Sequence, residues 1–145
     1  MIHEKLAGHH AIVTLPVLWG DMDAFGHVNN VRHIRWFESA RVAFLEQANL
    51  RDMMLAVKLG PILASVACHY RKQIKYPDTI HVGSVVQKLG RTSMTLHHRI
   101  ISQTHDDIAA EGESVVVIFD YQTQRPVRIP EEVRLAMEAM QASSD

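Results

Sequence analysis

The apolar residues of this chain change their period once, and that change limits the folds open to it. Val28, Val31, Ile34, Phe37, Ala40, Phe44, Leu45 and Ala48 recur at three- and four-residue steps, the spacing of one buried helical stripe. A helix over 28–48 is about 30 Å long at 1.5 Å per residue, longer than any other rigid element the sequence offers. From Pro61 onward the period is two. Ile62, Ala64, Val66, Cys68, Tyr70, Ile74 and Tyr76 share one phase, while Ser65, His69, Arg71, Gln73 and Lys75 share the other. That alternation predicts one long strand with a wet face, ended by Pro77-Asp78. Further strands are predicted over 80–89, 93–102 and 108–121, with turns at Gly90-Arg91 and at 104–107. Upstream, 12–19 reads as a first strand in which Pro16 marks an edge or a bulge. Residues 49–60 read as a connection with a short helical turn over 53–57, and 130–140 as a short amphipathic helix. One strand, one long helix and a four-strand meander make an α+β fold. Its helix is expected to lie along a curved antiparallel sheet of about five strands.

With 145 residues the expectation is one domain with its own core. Net charge is −1 with the histidines neutral, which argues against a nucleic-acid binder that works by neutralising phosphates. The single cysteine, Cys68, excludes an internal disulfide and a four-cysteine zinc site; its place in the apolar phase points to packing rather than nucleophilic chemistry. The first five residues lack the pattern of a secretory signal. No apolar run approaches the roughly 18 residues that cross a bilayer, so a cytoplasmic protein without a membrane partner is expected. A sheet carrying one helix has free edges and an uncovered face. Val115, Val116, Val117, Ile118 and Phe119 are apolar on both faces of their strand, so the face turned from the helix should be covered by another segment or by a second subunit.

The segment with chemistry in it runs from Trp19 through Gly20, Asp21, Met22, Asp23, Ala24, Phe25, Gly26, His27, Val28 and Asn29 to Asn30. Two carboxylates precede a Gly-assisted turn, and a helix begins at once. The opening of a helix exposes unpaired N–H groups at the positive end of its dipole, donors that suit an oxygen turning negative as its carbonyl is attacked. A carboxylate beside those donors supplies the minimum for acyl transfer. Asp before a helix is also a common cap or turn residue, and spacing alone leaves both readings open. No Gly-x-Ser-x-Gly elbow or Walker-type phosphate loop is present. The adjacent pairs His9-His10 and His97-His98 point to opposite faces of a strand and make no chelate, and no His-Glu-x-x-His occurs, so no metal is expected.

The segment 19–41 resembles the signature of the hotdog thioesterases of the 4-hydroxybenzoyl-CoA thioesterase type. An Asp-x-Asp pair is followed by Gly-x-Val and a helix with an acidic residue before Ala-Arg. The likeness continues through Gly60-Pro61-Ile62-Leu63-Ala64, Tyr76-Pro77-Asp78, Gly90-Arg91-Thr92-Ser93 and Ala110-Glu111-Gly112, so it spans roughly residues 11–128, with 129–145 as a tail. It implies a hotdog fold and hydrolysis of acyl-CoA to free acid and CoA. CoA would be part of the substrate, with no separate cofactor, and the site would lie in a homodimer that can form a homotetramer. Carried over by position, Asp23 is the catalytic carboxylate and the backbone N–H of Asn30 polarises the thioester carbonyl. Arg91 and Ser93 fall on the loop where CoA passes. The Gly-His-Val-Asn-Asn form also resembles the acyl-carrier-protein thioesterases, which makes His27 a further catalytic candidate; that pattern expects an Asn where this chain has Phe25. His33 stands where the pattern usually has Tyr, a change expected to alter packing or the acyl pocket. Glu38 and Arg41, three apart on one helical face, are expected to serve as a structural ion pair or an interface contact rather than in catalysis. Trp19 and Trp36 are expected in the core or lining the pocket. Hydrolysis of acyl-carrier-protein thioesters, an acyl-CoA-binding protein without turnover and a dehydratase are the competing functions.

Overall fold

A computed structural model describes residues 3–143, the side chains of 48, 142 and 143 apart. The order is β1 (His10–Pro16), α1 (Asn30–Glu46), α2 (Leu50–Ala56), β2 (Leu59–Tyr70), β3 (Thr79–Leu89), β4 (Ser93–Ser102), β5 (Asp107–Asp120), β6 (Arg125–Pro126) and α3 (Glu131–Ser143). The main strands form one antiparallel sheet in the order β1-β3-β4-β5-β2, and the two-residue β6 pairs with the end of β5. The sheet curls around α1, as the α+β reading expects.

Inward-facing residues alternate along the three central strands: Ile80, Val82 and Val86 on β3, Met94, Leu96 and Ile100 on β4, Ala110, Val116 and Ile118 on β5. Phe37, Ala40 and Phe44 of α1 descend on them and are fully buried. Gly112 makes this close approach possible. A Cβ there would stand 1.9 Å from the Ala67 carbonyl oxygen and 2.9 Å from the Phe37 ring. At one end of the sheet the core gathers Leu50 and Met54 of α2 with Val133 and Met137 of α3, so the C-terminal tail takes part in the core. The other end, with Val28, Trp36, Ile74, Ile80 and Ala109, supports the loop before α1.

Four expectations are corrected. The long strand stops at Tyr70 rather than at Tyr76, because the Arg71 and Lys72 N–H groups both turn to the Ala109 carbonyl. A bulge between Leu63 and Ser65 shifts its register, so Ile62 stands opposite the outward Val117 while Val66 and Cys68 stand opposite the inward Ser114 and Gly112; one phase does not run through. On α1, Val31 is 66% exposed and His33 is buried in its place, and the predicted Ala48 lies outside the described side chains. Trp19 sits in a single 3₁₀ turn and is 71% exposed, whereas Trp36 is buried. β1 is an edge strand with an irregularity before Val13. On the outer face of β5 the Phe119 ring meets Tyr121, while Val115 and Val117 stay half-buried.

Candidate active site

Asp21 anchors the segment that leads into α1. Its carboxylate is 7% exposed and accepts from the Leu18 N–H at 2.8 Å and from Arg32 Nε at 3.2 Å, while its carbonyl accepts from the Asn29 N–H. These bonds hold the two flanks of the loop together. Between them Met22 and Val28 form an isolated bridge, the Asp23 N–H donates to the His27 carbonyl, and the Gly26 N–H returns to the Asp23 carbonyl. Gly26 has φ +80°, a left-handed conformation that costs any residue with a Cβ about 1–2 kcal/mol. The Val28 N–H donates to the Ile74 carbonyl at 2.8 Å, which ties the loop to the connection after β2.

Asp23 is exposed at the tip of this loop. One carboxylate oxygen accepts from the Phe25 N–H at 2.9 Å; the other has no partner among the described residues. That second oxygen is the reactive one available. The opening of α1 supplies the matching donor. Asn29 caps the helix, its side-chain oxygen accepting from the Val31 N–H, and its carbonyl accepts from the Arg32 N–H. The Asn30 N–H lies between these and has no acceptor among the described residues, as the first turn of a helix allows. Asp23, Phe25, His27, Asn30, His33 and Tyr70 all line one cavity of about 380 Å³. The sequence candidates Asp23, His27 and Asn30 are thus brought together.

Tyr70 joins the site without a clear sequence signal, whereas His33, singled out in the sequence as a departure from the family pattern, lines the cavity as well. The Tyr70 hydroxyl donates to the Asn30 carbonyl at 2.9 Å, so the last residue of β2 pins the first turn of α1. Burial, then the neighbouring Cys68, push the phenol up to about 12, and it remains a donor across the neutral range. Its ring meets His33 edge-on at 4.8 Å. At the rim stand Arg71 and Lys72. Arg71 pairs with Glu111 and Lys72 with Asp107, both at 3.7 Å and with the cations half-exposed. The signal for them was modest: two adjacent cations where the strand pattern falters.

Arg91 and Ser93 do not line this cavity. They lie in the β3–β4 turn, where the Arg91 carbonyl accepts from the Ile129 N–H and the Ser93 carbonyl from the Gly90 N–H. Ser93 stands opposite Val117 on β5, whereas Tyr70 stands opposite Ala110; that spacing puts the two regions about 23 Å apart along the strand at 3.3 Å per residue. The expected Glu38–Arg41 pair does not form. Glu38 bonds Arg35 at 3.1 Å, and Arg41 Nη1 reaches inward to the Ser114 hydroxyl at 3.2 Å. Among the described residues no group of three or more His, Cys, Asp or Glu is placed to hold a metal ion, and no helix is long and apolar enough to cross a membrane.

Residues 17–137 match the family described as the thioesterase-like superfamily. The chain belongs to that superfamily. Another protein similar to it is the long-chain acyl-CoA thioesterase FadM of Escherichia coli (strain K12), 26% identical over 119 residues that cover 82% of this chain and 90% of that one. A putative thioesterase from Pseudomonas aeruginosa superposes with a TM-score of 0.75 at 31% identity, covering 87% of this chain and 96% of that one. A thioesterase from Thermus thermophilus, solved with coenzyme A and Zn, gives 0.79 at 27% identity over 93% and 97%. The architecture is the hotdog fold of these thioesterase-like proteins. In this member of the superfamily the loop before α1 and the end of β2 form the walls of the cavity.

Proposed function

We propose that this protein hydrolyses acyl-CoA thioesters to a free acid and CoA, with Asp23 as the working carboxylate. The observation that carries the reading is that Asp23 and Asn30 line one cavity, and that one Asp23 carboxylate oxygen and the Asn30 N–H have no partner among the described residues. The free oxygen either takes a proton from an attacking water or attacks the carbonyl carbon itself. In both routes the carbonyl oxygen becomes negative and the Asn30 N–H, at the positive end of a 17-residue helix, stabilises it. Collapse breaks the C–S bond, and the thiolate leaves without a strong acid or a metal; a proton from water or from Asp23 completes CoA. Direct attack adds a mixed anhydride that water then cleaves. Arg71 and Lys72 at the rim suit the phosphates of CoA.

The working unit is a homodimer in this reading. β2 pairs with β5 on one side and with no strand among the described residues on the other, and Ile62 and Leu63 on it are 37% and 41% exposed. A long edge with apolar side chains invites pairing with a second copy. Two β2 edges joined antiparallel would bring the partner's β3–β4 turn toward the Asp23 end, the arrangement in which Arg91 and Ser93 contact CoA. The half-buried Val115 and Val117 offer a second face for a tetramer.

The test is release of CoA from a panel of acyl-CoAs, with acyl-carrier-protein thioesters in parallel, by the wild type and Asp23→Asn. Asn keeps an oxygen for the Phe25 N–H and removes the base or nucleophile, so turnover is expected to fall at least about 100-fold with folding intact. Wild-type rates in Asp23→Asn would remove Asp23 from the mechanism. Tight binding of acyl-CoA without release of thiol would make the protein a binding module instead.

A further inference from the structure

Residues 3–9 lie on the face of the sheet turned away from α1. On β4 His98 stacks on Phe37 of α1, so its neighbours His97 and Arg99 point to that other face, where the segment meets them. A single 3₁₀ turn (Glu4–Leu6) brings Leu6 to 1% exposure. Gly83 of β3 makes room for it: a Cβ there would stand 2.8 Å from the His9 Cβ and 3.1 Å from Leu6 Cδ2. The other fastenings are polar. His3 Nε2 meets Asp106 at 2.9 Å, Lys5 pairs with Asp107, and Arg99 Nη1 donates to the Lys5 carbonyl at 2.8 Å. A cavity of about 780 Å³, lined in part by His3, Leu6, His9, His81, Ile101 and Gln103, opens between segment and sheet, so this cover is incompletely packed.

The last fastening is a pair of imidazoles. His9 Nε2 stands 3.4 Å from His97 Nδ1, and His97 Nε2 stands 3.3 Å from a Glu111 oxygen. The carboxylate fixes the tautomers: His97 donates from Nε2, its Nδ1 accepts, and His9 donates from Nε2. One proton fits between the rings. With both rings charged, two N–H groups would face each other there, and His9 would carry its other proton on Nδ1, a buried atom with no partner among the described residues. The surroundings give little relief. Arg99 adds a third positive charge, Glu111 is already shared with Arg99 and Arg71, and His81 on β3 is engaged with Thr14 and Gln103; Glu113 on β5 favours charge on His97 only in part. We propose that residues 3–9 form an acid-released clasp, which detaches from the sheet when His9 and His97 protonate. Burial first, then Arg99 and His97, hold His9 at about 4 against an ordinary 6.5. The docked value is the lower one, so docking is at full strength above 6.5 and weakens as pH falls toward about 4. Release is felt at the rim of the active-site cavity, because Lys5 shares Asp107 with Lys72 and His97 shares Glu111 with Arg71. The inference involves no substrate and stands apart from the hydrolase reading.

Amide hydrogen exchange on the whole chain tests it. The Leu6, Ala7 and His9 amides donate to carbonyls inside the segment, in a turn too short to persist once detached. From His9 alone, their protection, corrected for intrinsic rates, should fall about 30-fold between pH 7.5 and pH 5. It should stay well below that of the Ile100 amide on the central strand β4, since detachment leaves the sheet folded. In the double variant His9→Gln, His97→Gln, whose amides bond without titrating, the fall should shrink below about threefold. Wild-type protection that is equal at the two pH values overturns the inference and needs no variant to fold. So does protection equal to that of Ile100, which would mean that the segment opens only with the whole fold, and so does a 30-fold fall that persists in the double variant.

Discussion

Replacing His98 by Gln should flatten the acid side of the stability curve. His98 is fully buried between the Ser84 and Ser114 hydroxyls, each 2.8 Å from a ring nitrogen, with the Phe37 ring stacked on it at 4.9 Å. Burial first, then the charges of Arg41, His97 and His9, hold its pKa at about 3 against an ordinary 6.5. The folded value is the lower one. The stabilisation is therefore fully present above the unfolded value of 6.5 and is lost as pH falls toward about 3, because the unfolded chain takes up a proton the fold refuses. Each pH unit in that window costs about 1.4 kcal/mol, so His98 alone removes about 2 kcal/mol by pH 5. For a chain of this size that is a drop of about 4–8 °C in Tm. His9, held at about 4, and the depressed His33 and His97 act in the same direction, while Asp107, held at about 2, adds its loss only as pH falls below its ordinary 3.8. Gln keeps polar atoms near both serines and cannot titrate. Urea unfolding at pH 7.5 and pH 5 should therefore show a lower starting stability in His98→Gln, with a loss on acidification smaller than wild type by about 2 kcal/mol. An identical loss in the two proteins would refute the reasoning.

Tyr70→Phe keeps the edge contact with His33 and removes the bond to the Asn30 carbonyl; unfolding free energy should fall by about 1 kcal/mol, with kcat/KM on the best acyl-CoA falling several-fold as the helix opening loosens. Asp21→Ala leaves the Leu18 N–H without its charged acceptor and Arg32 without its partner. The backbone bond accounts for most of an expected loss of about 2–3 kcal/mol, the half-exposed ion pair for little, and a melting curve measures the sum.

What the sequence determined by itself was local and periodic. β4 was predicted over 93–102 and is found there, and β3 and β5 were placed within one residue of their observed bounds, because alternation is imposed by a sheet wetted on one side. The loop from Asp21 to Asn30 was legible for a similar reason: Gly26, the caps and the helix opening act within a few residues of one another. The tertiary structure decided everything that depends on a distant partner. The bulge before Ser65 and the exit of the chain at Tyr70 follow from pairing with β5, which period alone does not encode. The stripe on α1 is turned so that His33 goes in and Val31 stays out, since a polar cavity, not hydrocarbon, meets the start of that helix. Arg41 leaves Glu38 for Ser114, and Tyr70 comes from 40 residues away to hold Asn30. A hydrogen bond between residues so far apart is set by how the sheet curls around the helix, which neither stretch specifies alone.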